Sequence, residues 1–176
     1  MMALFTRNET VQSERIFDGQ IIGLRLDTLK HPTGKDVTRE VVEHNGGVVI
    51  ACQPDPNSVI LIRQYRYPVD QVLIELPAGR IEGKEDPLLA AQRELREETG
   101  YNAKAWSELV RMYSAPGFCD EILYLYKAYE IEFVGKCLDE DEETDVFVAT
   151  LEEARDLVRQ GKVKDAKTIA GISFLS

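Results

Sequence analysis

Residues 79–101 read GRIEGKEDPLLAAQRELREETGY and carry the clearest helix signal in the chain. Asp86 is a good N-cap, Pro87 suits the first helical position, and Gly100 suits the residue after a helix, where positive φ is needed. The pattern therefore predicts a helix over residues 87–99.

Two adjacent stripes run along this predicted helix at 100° per residue. The apolar stripe is expected to pack inward and consists of Leu88, Ala91 and Leu95. The acidic stripe lies roughly 100° around the helix and consists of Glu94, Glu97 and Glu98. We therefore expect the helix on the rim of a cleft, with its carboxylates shown to whatever fills the opening.

The acidic stripe is poorly placed for stability alone. Glu94 and Glu98 form a like-charge i,i+4 pair in the last turns, where the helix dipole favours cations. A solvated charged face is one interpretation. A divalent cation is the other, since Mg²⁺ is held by carboxylates, its own waters and substrate phosphate oxygens.

The remaining segments predict an α+β fold, because strands surround two helices. Strand-like segments lie at 10–17, 20–29, 36–44, 47–52, 58–65, 71–76, 103–113, 121–133 and 144–150. A second helix is predicted over residues 151–160, ended by Gly161. The first three strands are separated by turn signals and predict an antiparallel meander.

Net charge, apolar runs and cysteine content exclude several classes of function. The chain has 176 residues and a formal net charge of −10, which argues against nucleic-acid binding by general electrostatics. Its apolar runs are too short for a signal peptide or a membrane span, so we expect a cytoplasmic protein without a membrane partner. The three cysteines, Cys52, Cys119 and Cys137, suggest neither a disulfide framework nor a zinc site.

Residues 79–101 resemble the Nudix box: Gly, five residues, Glu, seven residues, then Arg-Glu-hydrophobic-x-Glu-Glu-x-Gly-hydrophobic. The matching positions are Gly79, Glu85, Arg93, Glu94, Leu95, Glu97, Glu98, Gly100 and Tyr101. The resemblance implies an α/β/α sandwich with a mixed central sheet, and hydrolysis of a nucleoside diphosphate linked to another group.

The resemblance also implies a metal site for Mg²⁺, for which Mn²⁺ can substitute. The implied ligands are Ala78, through its backbone carbonyl, and the side chains of Glu94, Glu97 and Glu98. Glu98 is counted among the catalytic residues as well. Glu85 and Arg93 are expected to hold the loop and the helix together.

Similarity to the ADP-ribose pyrophosphatase branch extends beyond the box. The segments that carry it are REVVEH (39–44), RQYR (63–66), ELPAG (75–79), SAPGFCDE (114–121) and DAKT (165–168). This resemblance predicts metal-dependent hydrolysis of ADP-ribose, or a related nucleoside diphosphate sugar, to a nucleoside monophosphate and a sugar phosphate. The alternatives are a dinucleoside polyphosphate hydrolase and a non-catalytic ADP-ribose-sensing module.

The predicted substrate-binding residues come from these segments and are Arg39, Arg63, Arg66, Glu75, Phe118 and Glu121. Two guanidiniums suit a diphosphate, and the resemblance assigns Arg66 to the substrate phosphate. A carboxylate among apolar residues, as in VLIELP (72–77), needs a partner, a metal or a substrate hydroxyl. Plain surface charges and loop packing are the alternatives for the arginines and for Phe118.

The acidic run DEDEETD, residues 139–145, is usually a solvated loop. In the ADP-ribose branch a loop at this point supplies a glutamate as catalytic base. Glu142 fits that role best by its spacing, with Glu140 and Glu143 as its neighbours.

Two domains are expected from the resemblance: residues 1–45, an N-terminal sheet exchanged between subunits, and residues 46–176, the Nudix hydrolase domain. This arrangement predicts a homodimer with Arg39 near the partner's pocket. A monomer whose N-terminal sheet packs on its own core is the alternative.

Overall fold

A computed structural model describes residues 5–135 and 144–176 of the chain. The strands are β1 (Thr10–Asp18), β2 (Ile22–Lys30), β3 (Asp36–His44), β4 (Gly47–Cys52), β5 (Ser58–Arg66), β6 (Gln71–Glu75), β7 (Ala78–Arg80), β8 (Tyr101–Tyr113), β9 (Ile122–Phe133) and β10 (Thr144–Thr150). The α-helices are α1 (Pro87–Thr99), α2 (Leu151–Arg159) and α3 (Ala166–Ser173).

The strands form three sheets, with the orders β1-β2-β3, β10-β5-β6 and β7-β4-β9-β8. The first two sheets are antiparallel. In the third, β4 runs parallel to β9 and antiparallel to β7. The predicted α+β class, with a mixed central sheet and a small N-terminal antiparallel sheet, is confirmed.

Contacts divide the described residues into two compact units. The smaller unit contains the residues up to Asn45 together with Tyr113–Glu121, and its core element is the meander β1-β2-β3. The larger unit contains Gly46–Met112 and the described residues from Ile122 to Ser176. No helix in these described ranges is long and apolar enough to cross a membrane.

The larger unit has helices on both sides of its strands. Side chains alternate along β4, so that one set packs under α1 and the other packs with α2 and α3. The α1 side includes Val48, Ile50, Ile60, Ala91 and Leu95. The other side includes Val49, Leu61, Leu125, Leu151 and Ile172. This is the α/β/α layering that the sequence predicted.

Helix α1 has the predicted bounds because its caps act locally. The Asp86 side chain accepts hydrogen bonds from the amides of Leu88 and Leu89, and Gly100 closes the helix with φ 78°. Helix α2 ends at Arg159, one residue before the predicted end. Helix α3 and the short strand β7 were not predicted from the sequence. Helix α3 starts at an N-cap, Asp165, whose side chain accepts from the Thr168 amide.

Candidate active site

Two glutamates of the acidic stripe, Glu94 and Glu98, lie in the interior of the larger unit. Glu98 is 1% exposed and Glu94 is 8% exposed, whereas Glu97 is only partly buried. The expectation that all three carboxylates line an open cleft face is therefore wrong. A neighbouring turn covers Glu94 and Glu98. Helical periodicity alone does not predict such a contact with a distant segment of the chain.

The covering turn runs from Leu76 into β7. The Ala78 amide donates to Oε2 of Glu98 at 2.9 Å. At Gly79 an added Cβ would overlap the carboxylate of Glu94, so this carboxylate packs directly on glycine backbone. Three of the four predicted metal-ligating residues, Ala78, Glu94 and Glu98, are thus brought together by this turn.

Arg93 joins this helix to the loop before it. Its guanidinium donates to Glu94 at 2.8 Å, to Glu97 at 2.9 Å and to both carboxylate oxygens of Glu85. A further bond reaches the carbonyl of Arg80 at 3.0 Å. The hydrogen bond to Glu85 is the largest effect that raises the pKa of Arg93, and it also lowers the pKa of Glu85. The predicted structural role of Glu85 and Arg93 is confirmed.

The donor set suits a hard divalent cation. The single positive charge of Arg93 is shared among three carboxylates, those of Glu85, Glu94 and Glu97. These four groups together carry excess negative charge. Within the described ranges, no three His, Cys, Asp or Glu side chains converge closely enough to form a complete cage. Mg²⁺ commonly uses one or two carboxylates and completes its shell with water and substrate oxygens, so the residues fit such an ion.

A second polar cluster is centred on Glu75, which is 1% exposed at the end of β6. Its carboxylate accepts a bidentate pair of bonds from Arg66, both at 2.8 Å, and a bond from Lys167 at 2.5 Å. Burial opposes the ionisation of Glu75, but the bonds from Arg66 and Lys167 outweigh it and hold the pKa of this carboxyl below its ordinary value. The hydrogen bond to Glu75 raises the pKa of Arg66 in turn.

The charge of Glu98 also raises the pKa of Arg66, although less than the bond to Glu75 does. The two clusters are therefore electrostatic neighbours. A cation, Arg66, is therefore close enough to the Glu98 carboxylate to feel its charge, as a diphosphate site requires.

The structure does not bring Arg63 to this cluster. Arg63 and Arg66 are three residues apart on β5, so their side chains leave opposite faces of the strand. The Arg63 guanidinium donates to Asp145 at 2.6 Å and lies 4.1 Å from the ring centroid of Phe147. Its contacts are those of a surface ion pair and a cation–π pair.

The other predicted substrate residues belong to the smaller unit. Arg39 is exposed on β3, where it donates to the Thr38 carbonyl at 2.8 Å. Phe118 is 59% exposed. Glu121 lies 3.2 Å from Nδ1 of His44.

The two remaining catalytic candidates, Glu140 and Glu142, lie outside the described residues, as do Glu143 and Cys137. The assignment of the catalytic base therefore stays a prediction.

Sequence reasoning also missed polar residues next to the predicted site. Lys167 contacts Glu75, and Thr168 accepts a hydrogen bond from the Leu76 amide at 2.8 Å. Both belong to the DAKT segment (165–168), whose resemblance to the ADP-ribose pyrophosphatase branch was the sequence signal that could have identified them. Gln64 lies on the same strand face as Arg66, and its buried Oε1 has no hydrogen-bond partner among the residues that the structure describes.

Comparison with known proteins agrees with this fold. Residues 43–171 match the family model described as NUDIX domain, and the chain belongs to the Nudix family. The predicted family and the predicted class of enzyme, a hydrolase, are confirmed.

Two curated relatives align over nearly the whole chain. The ADP-ribose pyrophosphatase of Bacillus subtilis (strain 168) is 40% identical over 169 residues, covering 95% of this chain and 91% of that protein. The methanol dehydrogenase activator of Bacillus methanolicus is 35% identical over 176 residues, covering 99% and 95%. A solved structure described as an ADP compounds hydrolase superimposes with a TM-score of 0.82 at 21% identity, covering 94% and 90%, and supports the fold.

Proposed function

We propose that this protein is a metal-dependent pyrophosphohydrolase that cleaves ADP-ribose, or a related nucleoside diphosphate sugar, to a nucleoside monophosphate and a sugar phosphate. The relative from Bacillus subtilis, 40% identical over 95% of the chain, is an ADP-ribose pyrophosphatase and supports this substrate class.

One observation carries the proposal. Two buried carboxylates, Glu94 and Glu98, meet the turn at Ala78 and Gly79, and the charge of Glu98 acts on the cation Arg66. Buried anions next to a guanidinium suit a substrate that brings both phosphate oxygens and a divalent ion.

In this proposal Glu94 and Glu98 would bind Mg²⁺ through side-chain oxygens, with the Ala78 carbonyl as a backbone ligand. Glu97 would be a further ligand once its side chain turns away from Arg93. Mn²⁺ can take the place of Mg²⁺, because both are hard ions with a preference for oxygen. The bound ion would neutralise charge on the diphosphate and lower the pKa of the attacking water.

The other residues bind and orient the substrate. Arg66 donates to a phosphate oxygen, which places the scissile linkage against the carboxylates. Glu142 takes the proton from the water, with Glu140 as the nearest alternative base. Glu75 acts through Arg66.

The N-terminal unit, residues 1–45, is proposed to exchange between two subunits of a homodimer in the cytoplasm. Arg39 would then reach the partner's site, while Phe118 and Glu121 contribute from their loop. The arginine Arg63 keeps only a peripheral role, because its described partners are Asp145 and Phe147.

The test is one substrate panel. Purified protein is incubated with Mg²⁺ and ADP-ribose, other nucleoside diphosphate sugars, dinucleoside polyphosphates or nucleoside triphosphates, and the products are identified by mass spectrometry. We expect a nucleoside monophosphate and a sugar phosphate as the main products. Oxygen-18 water then shows which phosphorus is attacked. Absence of hydrolysis of every nucleoside diphosphate sugar would refute the proposal.

A further inference from the structure

The N-terminal end of α3 is joined to the turn that covers the paired carboxylates. Thr168 accepts from the Leu76 amide at 2.8 Å, and Lys167 donates to Glu75 at 2.5 Å. Both contacts span 92 positions of sequence. The same turn continues to Ala78, whose amide binds Glu98. Helix α3 therefore contacts the segment on which both clusters depend.

Charge explains why a lysine stands at this place. Glu75 would neutralise Arg66 if the two formed an isolated pair. Lys167 binds Glu75 and also lies 3.1 Å from Asp165, so the four groups carry two positive and two negative charges. Without Lys167 the cluster would carry one net negative charge next to a substrate that is itself anionic.

The geometry supports a local effect of this charge. The Lys167 side chain is 16% exposed and Glu75 is 1% exposed, so solvent screens their interaction weakly. Arg66 remains 36% exposed. The Arg66 side chain is thus partly accessible to solvent, while its guanidinium is hydrogen-bonded to Glu75.

We infer that Lys167 is a positioning residue for substrate binding: it neutralises Glu75 and holds it in place, so that Arg66 keeps its charge and orientation for the substrate phosphate. The inference rests on the proposed function, in which Arg66 binds phosphate. It assigns a role in the reaction to the C-terminal helix α3.

The test compares Lys167→Met and Lys167→Arg with Lys164→Met. Lys164 is the matched control, because it lies in the same segment and its ammonium donates to the uncharged side chain of Gln71, at 3.0 Å on the surface. All three variants are first checked for folding by circular dichroism, and kinetics with ADP-ribose are measured well below the melting temperature.

Lys167→Met should raise KM by on the order of tenfold, the effect of losing a charged hydrogen bond, and change kcat less. Lys167→Arg should restore most of the KM, and Lys164→Met should resemble the wild type. A KM for Lys167→Met that equals that of Lys164→Met would overturn the inference. If Lys167→Met does not fold, Lys167→Gln replaces it, with the same expected rise in KM.

A binding measurement separates this inference from the proposed function. Inorganic pyrophosphate, which lacks the sugar of the proposed substrate, is titrated calorimetrically into each variant in the presence of Mg²⁺. Weaker binding to Lys167→Met than to Lys164→Met supports the inference even if the substrate panel fails. Equal binding, or no binding to the wild type, contradicts it.

Discussion

Replacing Gly79 with alanine tests whether the turn at Ala78 and Gly79 shapes the metal site. No unusual φ is required at this glycine, so alanine is compatible with its backbone. An added Cβ would, however, overlap all three carboxylate atoms of Glu94. Because the carboxylate is the far end of a flexible side chain, we expect it to move while the fold stays intact.

The size of this movement follows from the overlap. Ordinary van der Waals contact with a Cβ begins at 3.4 Å, so the Glu94 carboxylate must retreat by more than about 1 Å. Mg²⁺ accepts ligands only near 2.0–2.1 Å, in a nearly ideal octahedron. Glu94 would therefore be lost as a ligand, and metal affinity or activity should fall about a hundredfold. The free energy of unfolding should change by less than about 1 kcal/mol.

The assay is a Mg²⁺ titration of ADP-ribose hydrolysis, with thermal unfolding measured in parallel. We expect a higher Mg²⁺ concentration at half-maximal rate, a lower kcat and a nearly unchanged melting temperature. Gly19→Ala is the control, because its Cβ would meet the ring of Phe17, an exposed side chain in the smaller unit. If Gly79→Ala leaves the Mg²⁺ titration unchanged, the proposed contact between Glu94 and the metal is wrong.

Three further outcomes are expected. Glu98→Gln should fold, because the amide oxygen can still accept from Ala78, but kcat should fall about a hundredfold or more; full activity at saturating Mg²⁺ would exclude Glu98 as a ligand. Glu142→Gln should lower kcat about a hundredfold with little change in KM, and an unaffected rate in this kinetic assay would move the base to a neighbouring glutamate. Glu75→Gln should lower the free energy of unfolding at pH 7 by about 3 kcal/mol in urea denaturation. Although burial opposes its charge, Arg66 holds the pKa of Glu75 below its ordinary value, so this stabilisation is complete above about pH 5 and is lost as pH falls through the lowered pKa. The difference in stability between wild type and Glu75→Gln should therefore narrow on acidification, and a constant difference down to pH 3 would contradict the ion pairs described.

The parts of the fold that were predicted correctly depend on local signals. The N-cap Asp86, Pro87 and Gly100 act within a few residues of the helix ends, and the bounds of α1 followed from them. Helix α3 was missed because it is only eight residues long and contains Gly171, a residue type that disfavours helix interiors. Its N-cap residue, Asp165, was the local sequence signal for the start of this helix.

The site was predicted in part for the same reason. The spacing of Glu94 and Glu98 on one helix is a local property, but their burial results from the turn at Ala78, which precedes them by 16 and 20 positions. The separation of Arg63 from Arg66 could have been predicted, since residues three apart on a strand face opposite sides.

The sequence by itself determined the family, the ends of α1 and the set of acidic residues that suits a divalent ion, because each depends on residue types at short, regular spacings. Only the tertiary structure decided which charges neutralise one another. Arg93 is shared among three carboxylates, and Glu75 is paired with Arg66 and with Lys167 from the far end of the chain. Such pairs depend on strand register and helix packing over long sequence separations, and in a buried site they determine how much charge remains for a ligand.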